Sequence, residues 1–175
     1  IWKSVWTEYV PDIRLDYVKM TPNLHDMALE IEYQIDAPES AMAGGNLMVV
    51  ATVTFGDMLI SKTMTVMTSD HTKTKIDVFH KTNGQTNCGM EWGVRTWSPE
   101  SPDLYDITFE VVSDGKIFDT VGSYFAMREI RIDGSNILLN GHPLYQRLIL
   151  DQGYWKDSHL TPPSEEALIE DIDKI

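Results

Sequence analysis

Cysteine is nearly absent from this chain. Cys88 stands alone among 175 residues, which excludes an intrachain disulfide and any cysteine-based zinc site. A lone thiol of this kind is expected to act as a small, partly buried apolar side chain. Basic residues are scarce too. Fourteen Lys and Arg stand against 27 Asp and Glu, a formal net charge of −13. A phosphate backbone or an anionic membrane surface would be repelled, so neither nucleic acid nor membrane is an expected partner. No apolar run approaches the ~18 residues of a membrane-spanning helix. The five histidines, His25, His71, His80, His142 and His159, lack metal-ligand spacing, so solvent-facing loop positions are expected and no metal or cofactor. An initiator Met and a basic-then-apolar leader are also missing. The opening, Ile1-Trp2-Lys3-Ser4-Val5-Trp6, reads as a phrase begun inside a longer protein, and localisation stays unknown.

What the sequence does have is alternation. Met27, Leu29, Ile31, Tyr33 and Ile35 share one face of an extended run, with Glu30, Glu32 and Gln34 on the other. Tyr105, Ile107, Phe109 and Val111 alternate in the same way against Asp106, Thr108 and Glu110. Further strands are expected over 5–10, 13–21, 47–55, 58–67, 76–79 and 117–127. The stretch 68–74 is polar, and loops are expected over 36–46 and 81–90. Gly56-Asp57 and Ser113-Asp114-Gly115-Lys116 supply tight turns. About seven strands in little more than a hundred residues is the size of an immunoglobulin-like antiparallel β-sandwich. The class is therefore all-β.

The pattern changes after Arg128. Asn140-Gly141 lies between Ile137-Leu138-Leu139 and Leu144 to Leu150, a hairpin signal because both turn residues tolerate positive φ. The apolar end of the return arm suits a strand covered on both faces, as in a parallel barrel. After a loop over 151–163, Ser164 stands as a helix N-cap with Glu165 and Glu166 in the first turn. Leu168, Ile172 and Ile175 then fall on one helical face. A strand, a loop and an amphipathic helix read as the first unit of an α/β fold.

Three phrases carry a family resemblance. Ile1-Trp2-Lys3-Ser4-Val5-Trp6-Thr7-Glu8 is one. Trp97-Ser98-Pro99-Glu100-Ser101-Pro102-Asp103-Leu104-Tyr105 is the second. The third is Phe125-Ala126-Met127-Arg128-Glu129-Ile130 followed by Ile137-Leu138-Leu139-Asn140-Gly141-His142-Pro143. In order and spacing the chain resembles the family 2 glycoside hydrolases, in particular bacterial β-galactosidase-like and β-glucuronidase-like members. The phrases match those that enter the family's sandwich domain, lead to a late sandwich strand and cross into the catalytic (β/α)8 barrel. The resemblance implies a sandwich over 1–127 and the N-terminal fragment of a truncated barrel over 128–175: a hairpin, a strand and a short helix. Trp2 and Trp6 would plug a domain junction, and Tyr105 would turn its hydroxyl back onto the preceding loop as in a tyrosine corner.

The family hydrolyses glycosides with two glutamates on later barrel strands, and residue 175 precedes both. The resemblance therefore implies a non-catalytic scaffold within a carbohydrate-cleaving enzyme and no catalytic residue in this chain. Glu165 and Glu166 read as first-turn carboxylates; Glu30, Glu32, Glu91 and Glu100 as solvated strand and loop residues. No nucleophile-elbow motif supports a Ser-His-Asp triad. Asp151 and Gln152 follow the expected end of the first barrel strand, so the resemblance implies either substrate contact there in the intact barrel or a loop that only shapes the barrel mouth. Here the family's Asn-Arg-His-Glu neighbourhood reads Leu150-Asp151-Gln152-Gly153, with Gln152 in place of the histidine, so a sugar preference is not carried over. The alternative is an independent carbohydrate-binding or adhesion sandwich, which requires aromatics on an exposed strand face. The apolar tail over 144–175, left without the rest of a barrel, is expected to pack against another copy in a tail-exchanged homodimer.

Overall fold

The computed structural model describes residues 5–79, 90–91 and 93–175. Cys88, His80, Trp2 and Trp92 lie outside them, as does most of the loop expected over 81–90. The chain divides into two compact units, Val10–Leu144 and Ile1–Tyr9 with Tyr145–Ile175.

In the larger unit, β1 (Arg14–Asn23), β2 (Ala28–Asp36), a short helix α1 (Glu39–Ala43), β3 (Met48–Phe55), β4 (Met58–Val66) and β5 (His71–Asp77) come first. The two-residue strands β6 (Met90–Glu91) and β7 (Val94–Arg95) follow, then β8 (Tyr105–Ser113) and β9 (Lys116–Phe125). Two antiparallel sheets result, in the orders β1-β2-β5 and β4-β3-β8-β9. With β4 joined to the β3-β8-β9 sheet, this is an immunoglobulin-like arrangement. The core lies between the sheets. Leu29, Ile31, Tyr33 and Ile35 from β2 are buried with Val49, Ala51 and Val53 from β3 and Tyr105, Ile107, Phe109 and Val111 from β8. The period-two faces expected of Leu29 to Ile35 and Tyr105 to Val111 are therefore the core faces. Tyr33 meets Phe109 edge-on at 5.8 Å between ring centroids.

Backbone geometry explains the turns. Asp114 and Gly115 have φ of 50° and 74°, and Asn140 and Gly141 have 51° and 82°. Positive φ at both central residues gives a turn whose twist matches the flanking strands. At the open side of the sandwich, Leu15 N donates to Asp119 Oδ2 at 3.0 Å, tying the irregular start of β1 to β9 in the other sheet. That bond gives a partner to a backbone donor at a sheet edge.

Three expectations about strands and loops need correction, and a fourth concerns the segment after Pro143. Residues 5–10 form no strand; they pair with nothing in the ladders, and Trp6 is exposed. The polar stretch after 67 is not all loop, because β5 takes in His71 to Thr74. Its polar residues suit an outer face where Lys73 stands opposite Glu32 and Lys75 opposite Glu30. The segment 36–46 holds helix α1 inside the expected loop.

A small sheet completes this unit, made of β10 (Ile130–Asp133), β11 (Asn136–Leu139) and β12 (His142–Pro143). Pairing beyond the Asn140-Gly141 turn stops after Pro143, so the strand expected to run from 144 to 150 does not form. Its apolar side chains face solvent: Leu148 is 77% exposed and Leu150 86%. A strand needs a neighbouring ladder to satisfy its backbone groups, and among the described residues this segment has none.

In the smaller unit, α2 (Glu165–Asp173) starts where the capping pattern puts it. Ser164 is extended and its hydroxyl accepts a hydrogen bond from Ala167 N at 3.2 Å. Leu168 is partly exposed and Ile172 largely so.

Candidate functional site

The second and third phrases singled out in the sequence meet in one place. After β7, the chain runs beside Met127: Trp97 N donates to the Met127 carbonyl at 3.0 Å, and Thr96 bridges Met127 in parallel. The loop 97–104 is rigid for local reasons. Ser98 and Ser101 exchange backbone hydrogen bonds of 2.9 and 3.1 Å. Pro99 and Pro102 fix φ and remove donors where there is no ladder. The loop then hands over to Tyr105, whose hydroxyl accepts from Arg95 N at 2.7 Å. The hydroxyl was expected to turn back onto the loop after Trp97; it reaches past that loop to β7 instead. Tyr105 stacks on Phe125 at 5.2 Å, and burial raises its phenol above the ordinary range, the Arg95 contacts opposing the shift.

Arg95 anchors the loop from below. Its guanidinium lies 4.5 Å from the Phe55 ring centroid and 3.4 Å from Asp103 Oδ2. Both partners of the ion pair are about four-fifths buried.

Asn140 then closes the junction. Its side-chain oxygen accepts from Glu129 N at 3.0 Å, and its side-chain amide donates to the Trp97 carbonyl, also at 3.0 Å. Its own backbone N donates to the Glu129 carbonyl at 2.9 Å. One asparagine thus bonds a residue 11 positions away and another 43 away. Next to it, the Arg128 guanidinium lies 4.8 Å over the Trp97 ring. The sequence marked Asn140 as a turn former and as part of the third phrase. Nothing in a local pattern points to its bond with Trp97. The chain leaves this junction at Leu144, whose N donates to the Ile137 carbonyl at 2.8 Å.

The arrangement positions backbone. Among the described residues no group of three or more His, Cys, Asp or Glu is placed to hold a metal ion. His25, His71, His142 and His159 are exposed. Glu30 and Glu100 are also exposed, and Glu32 is half-buried between Lys19 and Lys73. Glu91 has no described side chain. Glu165 and Glu166 occupy the first turn of α2. The Glu166 carboxyl is held below its usual range by its own backbone N–H and the Ser164 hydroxyl. Asp151 and Gln152 are both exposed in the smaller unit. Asp151 Oδ1 accepts from Gly153 N at 2.7 Å, a local turn with Gly153 at φ 66°.

The fold and junction define an antiparallel sandwich domain with a hairpin stapled to its end. The family model for glycosyl hydrolases family 2 matches residues 13–128, and the chain belongs to that family. A stretch of 56 residues is 39% identical to the β-galactosidase BgaC of Bifidobacterium adolescentis, covering 31% of this chain and 5% of that protein. The β-glucuronidase of Ruminococcus gnavus, solved with D-glucuronic acid, superposes with a TM-score of 0.63 at 14% identity, over 94% of this chain and 24% of that one. β-Glucuronidase 3 of Bacteroides uniformis gives 0.67 at 14% identity, over 95% and 19%. At such identities the structures establish a shared fold. The chain spans a quarter or less of the length of these relatives.

Proposed function

We propose that this chain is the non-catalytic scaffold domain of a glycosidase that cleaves O-glycosidic bonds, β-galactosidase-like or β-glucuronidase-like. In this reading residues 1–127 are the sandwich domain, and 128–175 open a catalytic (β/α)8 barrel completed by chain that follows. The observation that carries it is the Asn140 junction. A rigid sandwich loop, a stacked arginine and a two-ended asparagine fix the point from which the chain departs at Leu144. Leu148 and Leu150 suit a barrel strand awaiting its neighbours, and Asp151 and Gln152 would then stand at the barrel mouth, where barrel enzymes contact substrate.

An independent glycan-binding face is less well supported. The exposed aromatics on the described strands, Tyr17 and Tyr124, sit on different sheets. Aryl β-galactosides and aryl β-glucuronides test the proposal. No turnover above buffer is expected from this chain. Turnover that disappears in Glu165→Gln or Glu166→Gln would overturn the reading.

A further inference from the structure

An asparagine followed by glycine is chemically fragile, because no side chain on the second residue shields the backbone nitrogen that can attack the asparagine amide. Two such pairs stand in the sequence, Asn83-Gly84 and Asn140-Gly141. The first lies outside the described residues. At the second, Gly141 is exposed and a Cβ built on it would meet nothing within 4 Å, so the turn is open to solvent. The Asn140 amide, by contrast, is tethered at both ends. Its oxygen is held by Glu129 N and its nitrogen by the Trp97 carbonyl, each at 3.0 Å. Swinging Cγ onto Gly141 N breaks both bonds. The Trp97 end is itself clamped, by the Arg128 guanidinium 4.8 Å over its ring and by its backbone bond to the Met127 carbonyl.

We infer that Asn140 is a covalent modification site, a deamidation site that the folded junction holds shut and that opens when the junction opens. Gly141 N gives its proton to a base in the solvent and bonds to Asn140 Cγ. The Cγ–Nδ2 bond then breaks, and ammonia leaves carrying the returned proton. Water opens the resulting five-membered imide at either carbonyl, leaving aspartate or isoaspartate. Both products undo the staple. An aspartate carboxylate only accepts, so an oxygen faces the Trp97 carbonyl where a donor stood. Isoaspartate adds a methylene to the backbone of a turn whose central φ values, 51° and 82°, hold Leu139 opposite His142. Two hydrogen bonds that must break together slow the attack about tenfold. The inference does not depend on the glycosidase reading.

Peptide mass spectrometry of the full chain, held in mildly alkaline buffer with and without urea, tests it. In urea, Asn140 and Asn83 should convert at similar rates. In the folded chain, Asn140 should convert about tenfold or more slowly than in urea. Chain aged in urea and returned to buffer should unfold at a lower urea midpoint than fresh chain taken through the same cycle. Asn140→Gly, which has no amide to lose, should keep its midpoint when aged alike. Equal rates at Asn140 in the folded and unfolded chain would overturn the inference. So would an aged chain with the midpoint of the fresh one, or an Asn140→Gly chain whose midpoint falls as far on ageing.

Discussion

Replacing Asn140 with alanine perturbs the junction at its centre. The side chain makes two hydrogen bonds of 3.0 Å, one accepted from Glu129 N and one donated to the Trp97 carbonyl. A net contribution of about 0.5–1.5 kcal/mol each is usual, and partial exposure of the pair favours the lower half of that range. Asn140 also sits at φ 51°, in the left-handed region that costs a residue such as alanine about 1–2 kcal/mol. The sum is about 2–4 kcal/mol, a large part of the stability of a single domain. Glycine separates the two contributions, because it tolerates positive φ but makes no side-chain bond. Asn140→Gly should therefore lose only the hydrogen-bond share, about 1–2 kcal/mol. Urea unfolding followed by tryptophan fluorescence, with Trp97 next to the perturbation, measures both variants. An Asn140→Ala variant within about 0.5 kcal/mol of the unaltered chain would refute the staple. Equal losses in the alanine and glycine variants would refute the conformational share.

Asp119→Asn keeps an oxygen acceptor for Leu15 N, whereas Asp119→Ala leaves that donor without one; the alanine variant should unfold about 1 kcal/mol earlier in urea than the asparagine variant. Burial raises the Tyr33 phenol well above 10, the Thr65 hydroxyl opposing the shift. Unfolded Tyr33 therefore loses its proton first as pH rises, and stability should fall above about pH 10. Tyr33→Phe should flatten that alkaline decline in a pH series of thermal melts, and an unchanged profile would exclude Tyr33 as its source. At the acid end, hydrogen bonds from Lys73 and Lys19 hold Glu32 below its usual range. Its contribution is present above about pH 4.5 and should be lost as pH falls through the lowered folded value, so Glu32→Gln should reduce the acid-side slope of the same melts.

Most of the sandwich was legible because burial there repeats every second residue. Leu29 to Ile35 and Tyr105 to Val111 alternate cleanly, and the turns carry Asp-Gly and Asn-Gly pairs whose φ preferences are local. Only the end of β5 was legible, in the run expected over 76–79; its earlier part was hidden because its outward residues, Lys73 and Lys75, stand opposite Glu32 and Glu30 on β2, a relation invisible within the segment itself. Residues 144–150 misled in the opposite direction. Their apolar content fits a strand, yet pairing depends on neighbours that no local run of residues supplies. The junction was half legible. The phrases around Trp97, Arg128 and Asn140 were recognisable, but the 43-residue reach of the Asn140 amide is a property of the fold.

Hydrogen exchange resolved by residue tests most directly the claim that the stability of this chain resides in the sandwich and its stapled junction, while the segment after Leu144 awaits partners. Slow exchange is expected for the ladder amides of β2, β3 and β8 and for Glu129 N and Leu144 N, whose acceptors lie within the junction. Amides over 145–150 should exchange at nearly the rates of an unstructured chain. Protection over 145–150 equal to that of β3, or free exchange at Glu129 and Leu144, would contradict the account.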